Sequence, residues 1–147
     1  MEVIDCDKRI VASVDALDLS CKRKIDLVVL HCSATPDGRD VSAADIRRWH
    51  LERGFADIGY HFVVRLDGTV EVGRAIGRTG AHCKGYNRHS IGICYVGGAD
   101  TSLRSKDTRT PQQKLALAML LEKIRGVYPD AVVKKHKELS ATDCPGF

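Results

Sequence analysis

The chain has 147 residues, 44% hydrophobic and 29% charged, with a net charge of +4. That length suits one domain whose core is large enough to fold without disulfides. No run approaches the ~20 apolar residues of a bilayer span, and the first residues carry no signal-peptide pattern. With 5% aromatic residues and dispersed basic ones, no base-stacking platform is visible.

These features predict a monomer made in the cytoplasm without a signal peptide, with no nucleic-acid or membrane partner. The six cysteines, at positions 6, 21, 32, 83, 94 and 144, include no C-x-x-C pair and read as reduced thiols. Residues 1–24 form an extension in which Ile10-Val11-Ala12 and Val14 could make an edge strand. Residues 25–147 carry the remaining pattern.

Ile25 to Cys32 reads as a strand that is apolar on both faces, as in the centre of a covered sheet. His31 is the exception near its end. A lone histidine there reads first as a core residue satisfied by hydrogen bonds. Ser33 to Gly38 is a turn-rich loop. Ser42 and Asp45 then form a capping-box start, with Val41 and Ile46 at staple positions. The helix stops near Gly54. Trp49 reads as core packing, and His50 as a packing or outward residue.

Gly59 to Arg65 is a second strand, and Asp67-Gly68 makes the hairpin turn to Val70-Glu71-Val72. Tyr60 and His61 point to opposite faces. Residues 74–90 are a long polar loop, open to two readings: a cleft wall or a mobile surface segment. Ile91 to Val96 is a strand in which Gly92 implies a close packing partner. Thr110-Pro111-Gln112-Gln113 starts a helix with Leu117, Leu120, Leu121 and Ile124 as its buried stripe. A strand from Ala131 leads to His136. The order predicts an α/β fold, a mixed central β-sheet flanked by helices in a single domain.

The last twelve residues offer His136 and, eight positions on, Cys144. A neutral imidazole and a thiolate are ligands that zinc prefers. A third ligand from a strand end, with His31 the candidate, would leave one position open for water, as catalytic zinc sites do.

The stretches His31-Cys32-Ser33-Ala34-Thr35, Ile46-Arg47-Arg48-Trp49-His50, Gly59-Tyr60-His61-Phe62, Leu66-Asp67-Gly68-Thr69-Val70, Gly80-Ala81-His82, Lys84-Gly85-Tyr86-Asn87, Ser90-Ile91-Gly92-Ile93-Cys94 and Cys144-Pro145-Gly146-Phe147 occur here in order. Together they resemble the zinc N-acetylmuramoyl-L-alanine amidases, above all the phage-lysozyme branch related to animal peptidoglycan recognition proteins. The resemblance covers residues 25–147. It implies cleavage of the amide between N-acetylmuramic acid and the L-alanine of the stem peptide. It implies one Zn2+ held by His31, His136 and Cys144, and Tyr60 as the active-site tyrosine. It implies muropeptide contacts at His82 and Asn87. The phage enzymes carry lysine two residues before the cysteine ligand. Here that residue is Thr142, as in catalytic peptidoglycan recognition proteins, and its hydroxyl can donate to an oxyanion without adding charge. Glu138 reads as an exposed carboxylate, with a catalytic base as its alternative.

The role that fits is a phage or prophage-type lysis enzyme acting on the wall after release. The chief alternative is a peptidoglycan-binding module without activity. A cysteine peptidase using Cys144 or Cys83 would meet Pro145, which removes a backbone donor beside Cys144.

Overall fold

The structure is a computed structural model that describes residues 2–147, with side chains from Asp7 onward. Cys6 therefore lies outside the described side chains. In chain order the elements are α1 (Glu2–Asp15), β1 (Leu27–Cys32), β2 (Thr35–Pro36), α2 (Ala43–Glu52), β3 (Phe62–Val64), β4 (Val70–Val72), β5 (Ser90–Tyr95), β6 (Gly98–Ala99), α3 (Pro111–Val127) and β7 (Val132–Lys135). The main sheet runs β4-β3-β5-β1-β7, and β2 pairs with β6 beside it. Pairs β3/β5, β5/β1 and β1/β7 are parallel, and the β3/β4 hairpin is antiparallel. This is the expected mixed sheet with helices on its faces.

Strand β1 is buried at every position because both of its faces are covered. Val28 and Leu30 enter the main core with Leu120 and Ile124 of α3. Leu27 and Val29 pack on the other face with Cys83. Beside them a second cluster joins Val41 and Ile46 of the α2 region to Val63 and Cys94. Helix α2 starts where the capping box places it: Ser42 Oγ accepts the Asp45 N–H, and Asp45 Oδ2 accepts the Ser42 N–H. Thr110 and Gln113 start α3 in the same way.

The edge strand expected near Ile10 is instead helix α1. Its apolar residues Ile10 and Val14 repeat at helical spacing and are buried against the main core, while Val11 between them is 38% exposed. Lys123 of α3 donates to the carbonyls of Val14, Asp15 and Leu17, satisfying the C-terminal end of α1. Ser13 Oγ accepts the Val70 N–H and ties α1 to β4. The extension thus shares the core of residues 25–147.

His61, at the entry to β3, is fully buried. Its Nδ1 accepts the Gly92 N–H (3.1 Å), and its Nε2–H donates to the Arg78 carbonyl (2.8 Å). A second ring proton would break the bond to Gly92. Burial, reinforced by the charges of Arg23 and Arg74, brings this imidazole down to about 4 against the Arg78 bond. Unfolding therefore takes up a proton between about pH 6.5 and 4, so stability falls as pH falls through that window. At pH 5 the loss from this group relative to pH 7 is about 2 kcal/mol. Urea unfolding of the wild type and His61→Asn at both pH values checks it: the variant's pH difference should be smaller by about that amount.

Candidate metal centre and active site

Register builds the site. Leu27, Val28, Val29 and Leu30 of β1 pair with Val132, Val133, Lys134 and Lys135 of β7. The next residue on each strand is a histidine, so His31 and His136 emerge side by side. Both lie at the carboxyl ends of parallel strands, where α/β sheets bind ligands. Their Nδ1 atoms are 3.2 Å apart.

After His136 the chain makes a 3-10 turn, His136–Glu138, and folds back. Lys137 N–H donates to the Cys144 carbonyl, and Tyr95 Oη donates to the Pro145 carbonyl. Those bonds set Cys144 Sγ 4.0 Å from His31 Nδ1. The three ligand atoms all lie within 4.8 Å of one another.

The set can be tested against zinc. Two nitrogens, each at 2.0–2.1 Å in a tetrahedral shell, stand about 3.3 Å apart, and a nitrogen and a sulfur about 3.6 Å. The observed 3.2 Å matches the first, and 4.0 Å exceeds the second by a few tenths. The donor chemistry also fits. Burial, with His82 and His136 close by, holds the His31 imidazole well below its ordinary range; burial lowers His136 as well. Both are neutral at neutral pH, with lone pairs to give. The Cys144 sulfur lies against the Cys32 backbone, 4.0 Å from its carbonyl oxygen. The Cys144 sulfur also receives the Cys32 N–H (3.1 Å), a donor suited to a thiolate there.

Tyr60 packs 5.1 Å from the His31 ring, centroid to centroid. Burial raises its phenol well above the usual tyrosine range, and the nearby Cys94 and Cys144 thiols add to the shift. It stays protonated and can donate, but it is no base. Tyr60 lines a small cleft of about 110 Å³ with Ser33, Trp49 and Arg53. Cys144 and Thr142 line another of about 230 Å³ with Ala34 and Leu103. The exposed Thr142 accepts the Cys144 N–H at Oγ1 (3.2 Å), leaving its own proton for another acceptor. A larger cleft, about 580 Å³ beside Arg23 and Arg88, is lined by none of the three candidate ligands.

The other expected residues hold the frame. Glu138 accepts the Lys135 N–H, so its carboxylate caps the 3-10 turn. His50 accepts the Gly59 N–H from within the core. Asn87 Oδ1 accepts the N–H groups of both His82 and Cys83. His82 lies behind His31, its Nδ1 2.9 Å from His31 Nε2 and its Nε2 3.1 Å from Ser90 Oγ. Burial and the neighbouring His61 bring it down to about 3. Both nitrogens are engaged inside the protein. Cys83 is buried with its thiol pushed up by burial, a poor setting for a nucleophile.

Loop 74–90 is a pinned wall. The buried Arg74 guanidinium donates to the carbonyls of Ile58, Thr79 and Asp57. Sequence reasoning missed the contact of His82 with His31 and the supporting part of Ser90. The available signal was Gly92: a Cβ there would meet His82 Cγ at 2.5 Å.

The chain is similar to several known proteins. The family described as N-acetylmuramoyl-L-alanine amidase matches residues 22–147. The endolysin of Enterobacteria phage K11 is 48% identical over 118 residues, 80% of this chain and 78% of that protein. The endolysin of Escherichia phage T7 is 42% identical over 126 residues, 86% and 83% of the two chains. Among solved structures, N-acetylmuramoyl-L-alanine amidase LysC from Clostridium intestinale superposes with a TM-score of 0.75 at 31% identity, over 90% of this chain and 83% of that one. A complex of peptidoglycan recognition proteins LCa and LCx with tracheal cytotoxin gives 0.72 at 31%, over 86% and 78%.

The crowding at Gly92 yields a direct expectation. Gly92→Ala should destabilise the fold by about 1–3 kcal/mol, since neither β5 nor the His82 ring has room to give. The urea midpoint, compared with that of a surface control such as Gly126→Ala, measures it; nothing lies within 4 Å of a Cβ at Gly126.

Proposed function

The chain belongs to the N-acetylmuramoyl-L-alanine amidase family and is a peptidoglycan amidase, and on that premise we propose that it works with one zinc ion held by His31, His136 and Cys144. The observation that supports this most directly is the convergence of those three ligand atoms within 4.8 Å, beside clefts lined by Tyr60 and Thr142. The bond cut is the amide between N-acetylmuramic acid and the L-alanine of the stem peptide. Bound zinc would serve as a Lewis acid that polarises the scissile carbonyl and acidifies a water.

The protein's own groups do the rest. The neutral imidazoles of His31 and His136 supply lone pairs without first losing a charge-bearing proton. The Cys32 N–H steadies negative charge on Cys144. The Tyr60 phenol keeps its proton and orients the attacking oxygen by donating to, or accepting from, its neighbours. Thr142, its acceptor side occupied by the Cys144 N–H, turns its hydroxyl proton toward the oxyanion that develops on the carbonyl. The role we assign is lysis of a bacterial wall by a monomer acting after release.

Metal analysis of the purified protein should find one zinc per chain, and Cys144→Ser should lose most of it. Chelation should abolish release of stem peptides from purified peptidoglycan, and added zinc should restore it. Thr142→Val should lower kcat by about 10²–10³-fold with zinc content unchanged. A zinc-loaded protein that binds peptidoglycan yet releases no peptide would establish the binding-module reading instead.

A further inference from the structure

The 80–92 segment devotes several residues to one buried side chain. His82 is only 9% exposed, and Ser90 beneath it is fully buried. Asn87 Oδ1 fixes the backbone of His82 and Cys83 with two hydrogen bonds of 3.0 and 2.9 Å. Gly92 leaves the space that the ring fills, for a Cβ there would overlap Cγ, Cδ2 and Nδ1 of His82 at 2.5–2.8 Å. Gly80 also leaves room for the ring, since a Cβ there would lie 2.8 Å from His82 Cδ2. The ring so held meets His31 edge-on, with an interplanar angle of 87°.

Proton placement along this row is determined once one end is known. His31 turns Nδ1 toward His136 and Cys144, so that nitrogen must keep its lone pair to serve as a ligand. Its proton then sits on Nε2 and is donated to His82 Nδ1. His82 in turn carries its proton on Nε2 and donates to Ser90 Oγ. A ligand histidine whose second nitrogen donates to a fixed acceptor is held in one tautomer and one ring orientation, and becomes a more basic ligand. A neutral imidazole fills the acceptor's place here.

We propose that His82 is a positioning residue for the metal centre: accepting from His31 and donating to Ser90, it locks His31 with Nδ1 free for the metal. This rests on the reading of His31 as a zinc ligand. It gives His82 a task other than contact with the muropeptide.

Zinc affinity, measured by competition with a chromophoric chelator, tests this without reference to activity. His82→Leu should bind zinc about 10–100-fold more weakly than the wild type. His82→Asn, whose side-chain oxygen can stand where Nδ1 stands, should recover most of the loss. Thermal unfolding of each variant without metal shows whether the fold survives. Should His82→Leu fail to fold, long-range 1H–15N correlation spectra of the wild-type zinc protein decide alone. They should show His31 and His82 both protonated at Nε2. Wild-type zinc affinity in His82→Leu, or a proton on His82 Nδ1, overturns the proposal while leaving the zinc reading intact. A wild-type protein that binds no zinc overturns both.

Discussion

The site depends on the parallel register of β1 against β7. Adjacent strands lie ~4.8 Å apart, and in a parallel pair residues at matching positions carry side chains to the same face. Pairing Leu30 with Lys135 therefore brings His31 beside His136 with no further device. A shift of one residue would send one imidazole to the opposite face, into the apolar layer under α3. The burial of Val28 and Leu30 on that side opposes such a shift. Packing in the core and placement of the two histidines are thus one constraint.

Around that register the protein satisfies its buried polar groups locally. Among the described residues no buried side-chain nitrogen or oxygen lacks a partner. Arg74 takes up the carbonyls of Asp57, Ile58 and Thr79, and His61 and His50 each accept a backbone N–H. Leaving such groups unsatisfied would cost about 1–3 kcal/mol each. The result is a hydrogen-bonded back wall to the His31–His136–Cys144 cluster and an open front where Thr142 and Tyr60 line clefts.

Much of this is legible in the sequence. Helices α2 and α3 announce themselves by capping boxes at Ser42 and Thr110, a local signal needing no tertiary knowledge. The central strand is readable because a short run that is apolar on both faces suits a strand covered from both sides. The residues brought to the cluster, His31, His136 and Cys144, are those the resemblance implies, and the spacing of His136 and Cys144 already suggests a shared ion. Helix α1 is easily mistaken for a strand because Ile10-Val11-Ala12 is a short apolar run, in which period two and period 3.6 are hard to separate. Only Val14 beyond it restores the helical spacing. The place of His82 is hidden for a different reason. Gly92 discloses that a neighbour comes close, but not which one, since that depends on how a loop ten residues away folds over β5.

The match to the amidase family begins at residue 22, whereas α1 spans Glu2–Asp15. Burial draws the boundary elsewhere: Ile10 and Val14 lie in the same apolar layer as Leu120 and Ile124, and Lys123 is anchored on the end of α1. A fragment trimmed to the matched region would bare the apolar flank of α3 to water and strand an ammonium group without its carbonyls. Similarity thus marks out the amidase part of this chain, but the unit that folds is larger, and α1 is best regarded as a built-in cover for the sheet that carries His31 and His136.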